Sequence, residues 1–100
     1  MYIIVNRMDT HNESSMAYGE ISQQIAQSKV VVGAKQLRKA LNNGTAKRVY
    51  LARNADPAIT EPIMTLCQLN SVEYTWVRSM ADLGRACGIE VGAAAAAAVR

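Results

Sequence analysis

From residue 30 onward the chain alternates short apolar runs with segments whose apolar residues recur every three or four positions. Residues 30–32 are a valine triplet, and residues 49–52 (VYLA) and 74–77 (YTWV) are two further runs of similar length. Their β-branched and aromatic content predicts three strands. Between the first two, Ala34, Leu37, Ala40 and Leu41 fall on one side of a helix over residues 34–42. A second helix ends near Leu69, and a third covers residues 79–87. Tyr18, Ile21 and Ile25, spaced i, i+3 and i+7, predict one more helix ahead of the first strand, ending near Ser28. Alternation of this kind describes an α/β protein, a sheet with helices packed on its faces.

The expected boundaries have local causes. Asn42-Asn43-Gly44 turns left-handed at low steric cost and stops the helix that starts after Gly33. Asp56-Pro57 suits a turn or a first helical turn, because proline at that position loses no bond it would have made. Pro62 complicates a start there, since inside a helix it removes a hydrogen bond; Thr60 as N-cap with Pro62 in the first turn avoids that loss. Ser79 followed by Asp82 resembles a capping box, and Gly88 is placed to follow the last turn of its helix. The C-terminal GAAAAAAVR reads as helix from alanine propensity alone, although so short a helix needs tertiary support. A buried central strand of small residues, over which two helix layers approach closely, fits the alternation equally well. Residues 1–15 are polar after Val5 and end just before Met16. They are expected to form a flexible N-terminal extension to a domain of residues 16–100, with Tyr2 to Val5 able to add to a sheet edge.

One hundred residues, half of them apolar, make one domain with one core. The longest apolar run, residues 91–99, is far shorter than the roughly 20 residues that span a bilayer, and Tyr2 to Val5 is too brief for a signal peptide. A cytoplasmic protein without a membrane partner is expected. Cys67 and Cys87 have neither a CxxC spacing nor a histidine cluster near them, and read as buried reduced thiols rather than metal ligands. Charge divides along the chain. Residues 1–28 carry a net −2, whereas residues 29–100 set ten lysines and arginines against five carboxylates, a net +5. A basic folded part favours a polyanionic partner.

Catalysis finds little support. His11 is the single histidine and lies in the N-terminal extension, and the carboxylates after Lys29 are scattered singly, so no general acid–base pair is in view. Neither GxGxxG nor GxxxxGK[ST] occurs, and no cofactor or metal is expected. Binding is better supported. In VVVGAKQLRKALNNG, residues 30–44, Lys35, Arg38, Lys39 and Asn42 occupy the helix side opposite the apolar one. This basic stripe starts at a helix N-terminus, where free N–H groups and the macrodipole favour a phosphate. Gly33 lets a nucleic-acid backbone approach without a Cβ in the way, and Gln36 donates and accepts as reading a base edge requires. An ordinary solvated helix face after a glycine connector describes the same residues, and on composition alone that plainer account weighs more. Residues 88–92 (GIEVG) could present an apolar platform to an unstacked base, or simply end one helix and lead into a strand.

GAKQLRKAL, then ARNADP, then SMADLGRACGIEVGAAAAA, in this order and spacing, resemble the bacterial branch of the kink-turn RNA-binding family. That family includes the archaeal ribosomal protein of the L-seven-Ae type and the L-thirty-e type. The resemblance covers residues 16–99 and is most specific in LGRACGIEVG. It implies a three-layer α/β/α sandwich with a four-stranded mixed sheet in which the alanine run is the last strand, so it displaces the helix expected from propensity. It implies binding to kink-turns, RNA duplexes sharply bent by a bulge flanked by tandem sheared G·A pairs. The family motif Gly-x-Asn/Lys-Glu/Gln-x-x-Lys is matched by Gly33, Lys35, Gln36 and Lys39, with Lys and Gln where the archaeal type has Asn and Glu. A second contact, the loop before the last strand, is matched by Ile89, Glu90 and Val91, and Asp56 matches a supporting position near the same surface. On this reading Lys35 and Gln36 address the G·A base edges, Arg38 and Lys39 the phosphates, and Ile89 and Val91 the bulge. Ribosomal RNA, a riboswitch or another kinked RNA all fit as the target, with the protein a monomer. The competing reading is a protein-interaction or scaffolding domain that uses the same basic helix face. The absence of any Phe argues against a single-strand binder that stacks bases on aromatic side chains.

Overall fold

A computed structural model of the chain describes Met16 and residues 18–100. The elements run α1 (Tyr18–Ala26), β1 (Lys29–Val32), α2 (Ala34–Asn42), β2 (Ala46–Ala52), α3 (Pro57–Leu69), β3 (Tyr74–Val77), α4 (Met80–Ala86) and β4 (Ala95–Val99). The strands form one mixed sheet in the order β1-β4-β2-β3, with β4 antiparallel to both neighbours and β2 parallel to β3. The parallel pair is joined through α3, the crossover such a pair requires. Helices α2 and α3 cover one face of the sheet and α1 and α4 the other, which makes the three-layer α/β/α sandwich.

The alanine run is a strand, and its register explains why alanine serves there. Ala95 and Ala97 face Leu37, Leu41 and Ile63 in one core, while Ala96 and Ala98 face Ile21, Ile25 and Leu83 in the other. Each of these four alanines is at most 3% exposed. A helix over the same residues would gain only a few tenths of a kcal/mol per residue from propensity. As a strand the segment bonds to neighbours on both sides, and its methyl groups let both helix layers come close.

The start of α3 corrects the expectation of a Thr60 cap. Asp56 is the N-cap, its carboxylate accepting the Ala58 N–H at 2.9 Å, with Pro57 in the first turn. Thr60 is turned into the core at 3% exposure, and Pro62 lies inside the helix. The hydrogen bond lost to Pro62 would have gone to the Ala58 carbonyl; both residues are exposed, so water can take that acceptor. Asp56→Ala is therefore expected to lower stability by about 1 kcal/mol, read as a lower denaturant midpoint at unchanged slope.

The other boundaries follow their local chemistry. Asn43 caps α2 and Gly44 takes φ 73°, while Gly88 takes φ 80° after α4. Ser79 Oγ accepts the Asp82 N–H at 3.1 Å. Strand β2 starts three residues earlier than its apolar core, because Ala46 turns inward and Arg48 reaches across to β3, bonding Glu73 at 2.8 Å and Thr75 at 3.2 Å. Tyr50 donates to Gln24 Oε1 at 2.7 Å and ties α1 to the sheet. Cys67 is buried, its thiol pushed up to about 11 by loss of solvent, and the half-buried Cys87 is raised by the same cause. Met16 bridges Val77 on the outer edge of β3; the expected extension, with Tyr2 to Val5, lies outside the described residues.

Candidate nucleic-acid interface

The register of the sheet gathers the candidate residues at one end. Val32 pairs with Ala96, Leu51 with Ala95 and Ala52 with Val77, so the ends of β1, β2 and β3 and the start of β4 lie side by side. The N-termini of α2, α3 and α4 follow directly from those three strand ends, and residues 88–94 lead into β4 at the same end. Positive helix ends collected this way favour a bound anion.

The three N-termini are not equivalent. Asp56 accepts one first-turn N–H of α3, that of Ala58, and Ser79 one of α4, that of Asp82, whereas Gly33, the N-cap of α2, has no side chain to do so. Gly33 sits at φ 99° and ψ 149°, a conformation that favours glycine, and a Cβ built there meets nothing within 4 Å. Its N–H donates to the Ala95 carbonyl at 3.0 Å, which fixes the start of α2 against β4. Lys35, Gln36, Arg38 and Lys39 are all exposed on the helix that follows, while Leu37, Ala40 and Leu41 are buried beneath it. No acidic residue lies on α2.

The loop of residues 88–92 divides its three candidates. Val91 is 70% exposed and Glu90 is exposed, but Ile89 is half-buried against the α1/α4 core. The apolar surface offered outward is therefore mainly Val91. The loop is held from below by hydrogen bonds from the Ile89 N–H to the Gly84 carbonyl and from the Ala93 N–H to the Met80 carbonyl, both 3.0 Å. Gly84 is buried within α4, and a Cβ there would overlap the Val91 carbonyl oxygen; a Cβ on Gly92 would press on Met80 at 3.1 Å. Asp56 is brought to the same end, where its carboxylate is engaged as the α3 cap.

Residues outside the sequence-predicted set complete the surface. Asn54 Oδ1 accepts the Met80 N–H at 2.8 Å and so ties the segment before α3 to the start of α4. Arg53 and Arg78 lie just past the ends of β2 and β3, with the Arg53 guanidinium 5.5 Å from the centre of the Trp76 ring. The signal for Gly84 was present as an isolated glycine inside a helical pattern, which often marks close approach of another segment. Asn54 gave no signal apart from its turn-forming type. No group of three or more His, Cys, Asp or Glu side chains that could hold a metal occurs among the described residues.

Comparison with known proteins matches residues 16–100 to the Ribosomal protein L7Ae/L30e/S12e/Gadd45 family. The chain belongs to this family. A Bacillus pumilus protein named RNA-binding protein is 48% identical over 82 residues, covering 82% of this chain and 96% of its own length. A Geobacillus RNA-binding protein is 44% identical over 85 residues, covering 85% of this chain and 100% of its own length. Among solved structures, a 15.5 kD RNA binding protein of Giardia lamblia superposes with a TM-score of 0.69 at 28% identity, covering 83% of this chain and 68% of its own. In this L7Ae-type chain the matched region takes in every candidate residue from Gly33 to Val91.

Proposed function

We propose that the chain is a non-catalytic, ribosomal-protein-like RNA-binding protein that recognises and stabilises kink-turn RNA, and that it acts as a cytoplasmic monomer. The observation that carries this reading is the uncapped, acid-free N-terminus of α2, with Lys35, Gln36 and Lys39 exposed, at the same sheet end as the outward-facing Val91. A helix N-terminus with cations suits the phosphates crowded at an RNA bend. An amide suits base edges, and an apolar side chain suits a base that has left its stack. Free RNA samples bent and extended forms, and a protein that binds only the bent one shifts the population toward it. Ribosomal RNA and a riboswitch are both suitable targets for such a reader.

The test is a titration, at one salt concentration, against a kink-turn RNA and the same RNA with both G·A pairs converted to Watson–Crick pairs. A preference of tenfold or more for the intact RNA, about 1.4 kcal/mol, is expected. Equal weak binding would leave only a generically attractive basic face and turn attention to an acidic protein partner. Lys39→Ala is expected to weaken binding to all kink-turns alike and to reduce the salt slope by about one unit, because a phosphate contact carries no sequence information. An unchanged slope would remove Lys39 from the contact.

A further inference from the structure

A groove of about 250 Å³ runs between α2 and β1, and it begins at residues already placed in the interface. Gln36, Lys39 and Asn43 are spaced i, i+3 and i+7, so they form one stripe about 10 Å long on the side of α2 that overlooks β1. Val31 and Val99 line the groove from the sheet, and Arg100 lines it as well. The Arg100 N–H donates to the Thr45 carbonyl at 2.9 Å, which anchors the backbone of that arginine at the end of the sheet opposite Gly33. Among the described residues, strand β1 is an edge of the sheet and pairs only with β4. No carboxylate side chain is among the residues that line the groove.

We propose that this groove holds the ribose-phosphate backbone of one of the two duplex arms leaving the RNA bend, so that the footprint extends along α2 to Arg100. The inference rests on the RNA-binding reading above. Its chemistry is that of a backbone track: Lys39 and Arg100 are cations for phosphates, Gln36 and Asn43 are amides that can both donate to and accept from a 2′-hydroxyl, and the valines offer an apolar surface to the sugar. Asn43 is neutral, so at the C-cap of α2 it adds no anionic side chain to the track. The groove would add affinity without adding sequence preference.

The experiment titrates the wild-type protein, Arg100→Ala and Asn43→Asp over a salt series. The RNAs are a kink-turn with two long arms, versions with one or the other arm trimmed to a few base pairs, and the straightened Watson–Crick control. Both positions are exposed, and thermal melting of each variant checks that the fold is kept. The expected result is that Arg100→Ala lowers the salt slope on the long-armed RNA by about one unit. Asn43→Asp should weaken binding several-fold there, and both effects should vanish when one particular arm is trimmed. Variants that match the wild type on every RNA, while the wild type still prefers bent over straight, would overturn the groove and leave the bend reader standing. A wild type without that preference would overturn both.

Discussion

Gly84→Ala is expected to lower stability by about 1–3 kcal/mol and to weaken RNA binding in the same variant. Helix propensity alone points the other way, since alanine in a helix interior is favoured over glycine by about 1 kcal/mol. The sign is decided by what lies above the helix. A Cβ at position 84 would overlap the carbonyl oxygen of Val91, and that oxygen belongs to backbone rather than to a side chain that could swing away. The loop is also pinned on both sides of the overlap by the Ile89–Gly84 and Ala93–Met80 hydrogen bonds, so it cannot lift without straining or breaking them. Displacing it moves Val91, the exposed apolar tip of the proposed interface, away from the surface it shares with α2. Gly19→Ala is the control: Gly19 is exposed in the first turn of α1, with nothing within 4 Å of its added Cβ. Denaturant unfolding of the two variants should move in opposite directions. A more stable Gly84→Ala protein would show that the loop yields freely and is not held as described.

The same contrast between local and non-local effects explains how far the sequence could be read. Residues 34–42 carry their own helix pattern and their own stop, and α2 lies over just those residues. The alanine run carries a strong local preference for helix and nothing local that opposes it. Its strand state comes from β1 and β2 on either side and from two helix layers above and below, partners far away in the chain. Resemblance to a known family supplied what periodicity could not. At α3 the sequence shows that Pro62 costs a hydrogen bond inside a helix but not where that cost falls: Pro62 and Ala58 are exposed, and a capping Asp56 outweighs one solvated carbonyl. The candidate interface shows the same division. Exposure of Lys35, Gln36, Arg38 and Lys39 follows from the helix period. The inward turn of Ile89 beside the outward Val91 depends on how residues 88–92 lie across α4, which no pattern in GIEVG encodes.

Gln36→Ala should reduce the preference for intact G·A pairs over Watson–Crick pairs by about 1–3 kcal/mol, while leaving the fold unchanged. Gln and Ala differ little in helix propensity, and the side chain is exposed above the buried Leu37, so stability should move by no more than a few tenths of a kcal/mol. What is lost is an amide on the first turn of α2 that donates and accepts together. Lys35 and Lys39, which flank it on the helix surface, are cations that can attract phosphate but cannot accept a bond from a base edge. Gln36→Glu separates the two halves of the amide, because it keeps an acceptor, removes the donor and adds a negative charge close to bound phosphates. If donation to the RNA is what matters, the Glu variant should lose at least as much preference as the Ala variant. If acceptance matters, it should keep most of the preference while binding both RNAs more weakly through repulsion. Equal losses on intact and converted RNA for Gln36→Ala would assign Gln36 to the backbone track alone, and base reading would have to come from Lys35 and the uncapped N–H groups beside it.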